Sequence, residues 1–172
     1  MNKLSNDFMQ SIVTESAWKE LSSNFNWSET LLEKCKTEVD WNEISKNSNI
    51  LWTIPMLKRF ERFLNWTLLS ENINERSLSD ETIAAFESSW DWLTLSENKN
   101  LKLSYMLLDK YIERWDWHKI INRWGEDFFS KNGIDFYEKY KEYIPAGALQ
   151  QSNLWDGIVN QQKEMLILKI IS

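Results

Sequence analysis

Residues able to do chemistry are few and isolated in this 172-residue sequence. There is one histidine, His118, and one cysteine, Cys35, so a zinc site built from several His or Cys ligands is excluded. No Gly-x-Ser-x-Gly elbow is present that would pair a nucleophilic serine with His118. With only 4 glycines, the chain also has no phosphate-cradling loop. We therefore expect a protein that is not an enzyme, with no catalytic residue, no bound metal and no cofactor.

Two kinds of residue remain as candidates for binding. Lys58, Arg59 and Arg62 lie close together in the sequence, and Arg76 follows them; the planar arginine side chain is favoured at interfaces because it makes several charge-assisted hydrogen bonds. The 11 tryptophans could stack against sugars or bases, but nine of them recur at regular spacing, which is typical of a packed core. Trp155 lies outside that pattern and is the fifth candidate binding residue.

Charge and composition narrow the class of partner and the compartment. The net charge is −6 and the isoelectric point is near 5.0, which opposes general nucleic-acid binding because phosphates require Lys and Arg. The single cysteine favours a reducing compartment. Residues 1–13 lack the apolar core of a signal peptide, and no apolar run approaches the ~18 residues of a membrane span. We expect a cytoplasmic location and no contact with membranes.

A tandem repeat of about 25 residues organises most of the chain. Five copies begin near a leading tryptophan that has Leu or Ile three residues later; these tryptophans are Trp18, Trp41, Trp66, Trp92 and Trp117. Within each of the first four copies an anchor residue lies 14 positions before the next leading tryptophan; the anchors are Trp27, Trp52, Leu78 and Leu103. The constant spacing indicates a repeated structural unit with variable loops.

Each copy has the pattern of a helical hairpin. Hydroxyl residues after the anchors suit the N-cap of one helix, and Asp or Asn before the leading tryptophans suits the N-cap of the other; the sites are Ser28, Thr53, Ser79 and Ser104, and Asp40, Asn65, Asp91 and Asp116. The residues 4, 5, 8 and 12 positions after each anchor residue form the apolar stripe of an amphipathic helix. The pattern predicts a short helix, an Asn-rich turn and a longer helix. We expect the side chains of Asn49, Asn74 and Asn100 to bond backbone groups of their own turns.

The segment Trp90–Asn98, with the pattern Trp-Asp-Trp-x-x-Leu-Ser-x-Asn, resembles the tandem repeats of certain uncharacterised bacterial proteins. The resemblance covers about Trp18–Ile121 and implies a helical repeat fold in a protein of a bacterium or its phage. It carries no established activity. A fainter similarity to the helical repeats of protein prenyltransferase alpha subunits lacks their Trp-x-x-Arg-Arg run.

The fold prediction is therefore all-α: a short α-solenoid in residues 1–124 and a helical C-terminal cap in residues 125–172, packed together as one domain. The repeat pattern stops after Trp124-Gly125, and a different, aromatic segment follows. A repeat array needs an atypical end to cover its last apolar face. The alternative role of this segment is self-association through its final helix, which ends in Met165–Ile171.

The leading functional hypothesis is a non-enzymatic module that binds another protein, including an inhibitor-like or immunity-like role. Lys58, Arg59 and Arg62 fall on outward positions of one longer helix, whereas the next such helix has Ala84 and Ala85 at matching positions. Variable outward positions are where a repeat protein places its specificity. The alternative is nucleic-acid or nucleotide binding through a local patch of Lys58, Arg59, Arg62 and Arg76.

Overall fold

The chain is all-helical in a computed structural model that describes residues 3–123 and 127–171, without the side chains of residues 3–9, 127, 128 and 130. These residues form eleven α-helices, one 3-10 turn and no strand. The helices are α1 (Lys3–Asn24), α2 (Glu29–Lys34), α3 (Trp41–Lys46), α4 (Ile54–Phe60), α5 (Trp66–Asn72), α6 (Asp80–Ala85), α7 (Trp92–Glu97), α8 (Tyr105–Lys110), α9 (Trp117–Ile120), α10 (Asp127–Tyr140) and α11 (Asn153–Ile171). The predicted all-α class is confirmed.

Contacts divide the chain into two compact units, Met1–Lys102 and Leu103–Ser172. In the first unit the helices that begin at leading tryptophans, which we call lead helices, pack in chain order: α3 on α1, α5 on α3, and α7 on α5. The helices that follow the anchor residues, α2, α4 and α6, are called anchor helices. Sequential packing of equivalent helices is what a helical repeat arrangement requires.

The predicted N-caps are confirmed in both kinds of helix. The hydroxyls of Ser28, Thr53, Ser79 and Ser104 accept the backbone N–H three residues later at the start of α2, α4, α6 and α8. The side chains of Asp40, Asn65, Asp91 and Asp116 do the same at α3, α5, α7 and α9. Each cap satisfies a donor that the helix itself leaves without a partner.

The anchor helices are shorter than the sequence predicts. Each contains six or seven residues, as the lead helices α3, α5 and α7 do. At Phe86 the backbone leaves the helical region, with φ −128° and ψ 30°, and the next bond runs from Ser89 N–H to the Phe86 carbonyl over 2.9 Å. A tight turn therefore replaces the last helical turn. Trp90, the stripe residue 12 positions after the anchor Leu78, follows this turn and is still buried.

A buried serine in each of the first three copies connects consecutive lead helices. Ser45 Oγ donates to the Trp41 carbonyl over 2.7 Å and accepts the backbone N–H of Asn65 over 2.9 Å. Ser22 and Ser70 accept the N–H of Asp40 and Asp91 in the same way. Because Asn65, Asp40 and Asp91 are the N-caps of the following lead helices, these bonds fix where each next helix begins.

The asparagines of the turns bind the preceding copy, so the prediction that they bond within their own turns is wrong for Asn49 and Asn100. Asn49 Nδ2 donates to the Asn24 carbonyl over 2.9 Å, and Asn100 Nδ2 donates to the Ile73 carbonyl over 3.0 Å. Asn74 does both: Nδ2 donates to Ile50 of the preceding copy, and Oδ1 accepts the N–H of Ser77 in its own turn. The preceding copy presents carbonyls that its own helix leaves unsatisfied.

In the second unit, helix α10 packs on α11 and bends at Asn132, where φ is −135° and ψ is 24°. The repeat stripe continues in weakened form after this kink, because residues 4, 5, 8 and 12 positions beyond Asn132 are Phe136, Tyr137, Tyr140 and Ile144. The spacing of the stripe thus recurs beyond Trp124-Gly125, the point at which the repeat was predicted to stop. The backbone N–H of Leu154 on α11 donates to the carbonyl of Ile121 over 3.0 Å, so the last copy and the C-terminal segment belong to one unit.

Candidate functional site

The leading tryptophans pack into the core and their indole N–H groups are already used. In each of four copies Nε1 donates to the carbonyl five residues earlier, over 3.0 to 3.2 Å, which closes the turn after the preceding anchor helix; the residues are Trp41, Trp66, Trp92 and Trp117. Trp92 and Trp117 are buried, and Trp41 and Trp66 are half-buried. Trp66 lies 5.2 Å from Phe86 and 5.0 Å from Trp90 between ring centres. These contacts are those of a packed column that joins one copy of the repeat to the next.

Three of the five candidate binding residues lie at one end of helix α4. Lys58 and Arg59 occupy its last turn, Arg62 lies in the turn that follows, and all three are exposed. Arg59 Nη1 pairs with Glu29 Oε1 of the anchor helix α2 over 2.9 Å. An exposed pair of this kind contributes little to stability, so the charge of this surface is free to serve another purpose. We call Lys58, Arg59 and Arg62 the basic surface.

Helix α6, the next anchor helix, presents small residues where α4 presents the basic surface. Ala84 and Ala85 are exposed at the end of α6, and Ser89 lies in the turn after it. Ser89 Oγ donates to Glu61 Oε1 over 3.3 Å, which joins the turn after α6 to the turn after α4. The turns that follow these two anchor helices are therefore in contact.

Arg76 lies in a different place from the basic surface. It lines a shallow polar groove along the loops of the first unit, together with Asn26, Ser48, Asn49, Leu51, Asn74, Glu75 and Asn100. The hydrogen bond and ion pair from Lys102 hold the pKa of Glu75 below its ordinary value. Asn49, Asn74 and Asn100 of this groove donate to backbone carbonyls, so their amides are occupied by the fold.

Trp155 is half-buried in the second unit, near the start of α11, where its backbone N–H donates to Ser152 Oγ over 3.2 Å. Farther along the same helix, large apolar side chains are exposed from Met165 to Ile171, including Ile170 at 73% and Ile171 at 74%. Trp155 is therefore part of the packed half of α11 and is separated in sequence from its exposed end.

The titratable groups do not assemble into a reactive centre within the described residues. His118 is exposed and borders a shallow depression with Asn122, Pro145, Gly147, Ala148 and Gln151. Cys35 is a half-buried free thiol, and no group of three or more His, Cys, Asp or Glu side chains is placed to hold a metal ion in the described part of the chain.

A polar cluster that the sequence argument overlooked joins α8 to α10 in the second unit. The Asp109 carboxylate accepts a hydrogen bond from Tyr140 Oη over 2.8 Å and pairs with Lys139 Nζ over 2.6 Å. Lys139 Nζ also lies 4.9 Å from the ring centre of Tyr105. The bond from Lys139 lowers the pKa of Asp109, and burial followed by the bond to Asp109 raises the pKa of Tyr140. This cluster fixes two helices; the spacing of single Asp, Lys and Tyr residues in the sequence gave no sign of it.

No protein-family model matches this chain, and neither a curated protein nor a solved structure is significantly similar to it. Within the described residues, no helix has both the length and the apolar character needed to cross a bilayer.

Proposed function

We propose that this chain is a non-enzymatic helical-repeat module that binds another protein through the basic surface and the small residues beside it. The observation that carries the proposal is the bond between Ser89 and Glu61, because it connects the turn after α4, which contains exposed Arg62, to the turn after α6, the helix that ends in exposed Ala84 and Ala85. Small side chains let a partner approach closely. Arginines at the margin supply charge-assisted hydrogen bonds to it.

The chemistry of the proposed site favours a protein surface over a small molecule. The three cations of the basic surface are all exposed, whereas small-molecule sites are concave and mostly apolar. The proposal includes an inhibitor-like or immunity-like role in the cytoplasm of a bacterium or phage-infected cell. The net charge of −6 favours a partner that has a basic surface. Where this partner meets Arg59 and Arg62, it presents carboxylates.

Nucleic-acid or nucleotide binding is the weaker alternative. It needs the four cations Lys58, Arg59, Arg62 and Arg76 to act on one run of phosphates, but Arg76 lines the separate loop groove. Glu29 already engages Arg59, and Glu61 is exposed between Arg59 and Arg62 in the sequence. Retention on immobilised nucleic acid that falls steeply with salt would favour this alternative.

The test is a double charge reversal, Arg59→Glu with Arg62→Glu, used as bait against lysate of the source cell and read by quantitative mass spectrometry. We expect loss of the specific partner captured by the wild-type chain, with unchanged helical content and melting temperature, because exposed substitutions affect stability little. Lys99→Glu with Lys163→Glu is the matched control, since it makes the same change in net charge at two other exposed positions. Equal capture by both double variants would contradict the assignment of the basic surface.

A further inference from the structure

In the second and third copies of the repeat, an aromatic side chain from the turn after the anchor helix packs on the leading tryptophan. The Trp41 ring stacks on Phe63, with 5.0 Å between ring centres and an angle of 23° between ring planes. The Trp66 ring lies 5.0 Å from Trp90 in an edge-to-face contact. Both are arrangements that aromatic pairs prefer. A ring on the leading tryptophan is therefore part of how these copies pack.

The first copy has the leading tryptophan without such a partner. The residues 8, 11 and 12 positions after its anchor are Cys35, Glu38 and Val39. Trp18 is half-buried, and no second aromatic ring contacts it in the part of the chain that the structure describes. Trp18, Glu38 and Val39 instead line a cavity of about 660 Å³. We call it the Trp18 cavity. Its volume lies within the roughly 300–1,000 Å³ of ligand pockets.

The Trp18 cavity has a negative rim. Glu15, Glu38 and Asp40 line it, and among its described lining residues only Lys19 is basic. Glu15 and Glu38 are exposed and form no ion pair with a described residue. Asp40 Oδ1 accepts the backbone N–H of Asn42 over 2.9 Å, so this third carboxylate is held in place as the N-cap of α3. An aromatic wall and an excess of carboxylates favour a flat organic cation.

We propose that the Trp18 cavity binds an arginine side chain from a basic segment of a partner protein. The planar guanidinium lies on the Trp18 ring in the place that Phe63 takes on Trp41, and the ring attracts the cation. Its N–H groups donate to the carboxylates of Glu15 and Glu38, whose geometry matches the guanidinium fork. A lysine ammonium has neither the flat face nor the fork, so arginine is preferred.

The Trp18 cavity is separate from the basic surface. Its described residues belong to α1 and to the segment between α2 and α3, and none lies on α4 or α6. Arginine binding here is therefore independent of the proposed function and goes beyond it. Because salt screens attraction between exposed charges, binding should weaken as the ionic strength increases.

Titration of the full chain with the peptide N-acetyl-Gly-Arg-Gly-amide, followed by proton–nitrogen NMR, tests the proposal. The indole N–H signal of Trp18 is the one that Trp18→Phe removes. We expect this signal to shift and to saturate at millimolar peptide, and we expect weaker binding of the matched lysine peptide and none of the glutamine peptide. An arginine peptide that causes no shift, or that binds no more tightly than the lysine or glutamine peptide, would overturn the proposal.

A double variant tests the role of the carboxylates. Glu15→Gln with Glu38→Gln removes two exposed charges and keeps the shape of both side chains. We expect affinity for the arginine peptide to fall at least about fivefold, because hydrogen bonds to a charged acceptor are roughly twice as strong as neutral ones. Glu71→Gln with Glu164→Gln is the matched control, since it makes the same change in net charge at two other exposed positions. Equal affinity in the two double variants would refute the site.

Glu38→Phe tests whether the missing ring leaves Trp18 open to a ligand. Phenylalanine at position 38 has the repeat position of Phe63, so it should cover Trp18 as Phe63 covers Trp41. We expect it to abolish arginine binding, whereas Glu38→Gln alone should retain weakened binding. Circular dichroism establishes that Glu38→Phe is folded, and the double glutamine variant decides the matter if it is not. A folded Glu38→Phe chain that binds the arginine peptide as tightly as Glu38→Gln would contradict stacking on Trp18.

Discussion

The side-chain amide of Asn98 donates to the backbone carbonyl of Ser70 over 2.8 Å, and the two residues belong to neighbouring copies of the repeat. Asn98 Oδ1 also accepts the N–H of Asn100 over 2.8 Å, so one buried side chain both shapes its own turn and binds the copy before it. Asn47 makes the equivalent bonds to Ser22 and Asn49. An amide at this position therefore links the local structure of one copy to the packing of two.

We predict that Asn98→Ala lowers the free energy of unfolding by about 1–3 kcal/mol, the cost of leaving buried backbone groups unsatisfied. Asn72→Ala is the matched control, because Asn72 has the same repeat position but is half-buried and donates to Leu68 of its own helix over 2.8 Å. Urea denaturation followed by circular dichroism measures both. Equal losses for the two variants would show that the bond between copies stabilises the fold no more than the bond within one helix.

The sequence predicts where the repeat helices begin and which residues cap them, because both depend on short-range chemistry, but it predicts anchor helices that are too long. Ser79, for example, accepts the N–H of Thr82 three residues later, a contact within one turn of chain. The partners of Asn49 and Asn100 could not be obtained in this way, since the acceptor carbonyls lie in the preceding copy. Sequence periodicity shows that these residues are equivalent, but it does not show which neighbour they bind.

Part of the candidate surface could also be predicted from the sequence, because exposure on a helix depends on local spacing. Exposure of Lys58, Arg59 and Arg62 follows from their outward position relative to the stripe, and the structure agrees. Separation of Arg76 from them depends on where the loop lies, which residue spacing does not determine.

Trp66→Ala should lower the free energy of unfolding by about 3 kcal/mol, at the lower end of large-to-small aromatic changes, because Trp66 is half-buried rather than fully buried. The loss comes from ring contacts with Phe86 and Trp90 and from the bond of Nε1 to the Glu61 carbonyl. Trp66→Phe keeps most of the ring contact and should lose less than half as much. Thermal and urea denaturation compare the two, and a neutral Trp66→Ala would refute a structural role for the tryptophan column.

Acid should remove the contribution of Asp109 to stability. Its pKa lies below the ordinary value of 3.8, first because of the hydrogen bond from Lys139. A carboxyl group whose pKa is lowered by folding stabilises the folded state above its unfolded pKa, and this contribution is lost as the pH falls through the folded pKa. The difference in unfolding free energy between wild type and Asp109→Asn should therefore be largest near neutral pH and shrink below pH 3.8. A difference that is constant down to strongly acidic pH would contradict the assignment.

Two glycines of the second unit should respond in opposite ways to alanine. A Cβ atom at Gly157 on α11 would overlap the backbone carbonyl group of Phe129 on α10, whereas a Cβ atom at Gly147 would meet nothing within 4 Å. Gly147→Ala should be neutral or stabilising by about 0.4–1 kcal/mol, because alanine has fewer unfolded conformations to lose. It is the control for Gly157→Ala.

Gly157→Ala adds a better helix former in the interior of α11, a gain of about 1 kcal/mol when nothing else changes. The overlap must cost more than this gain, because the contacting atoms belong to the Phe129 backbone and cannot move without shifting α10 away from α11. Overpacking of this kind typically costs about 1–3 kcal/mol and occasionally more. We therefore predict a lower melting temperature for Gly157→Ala than for Gly147→Ala, measured by differential scanning calorimetry. A melting temperature for Gly157→Ala at or above that of the wild type would show that α10 and α11 do not approach each other at this glycine.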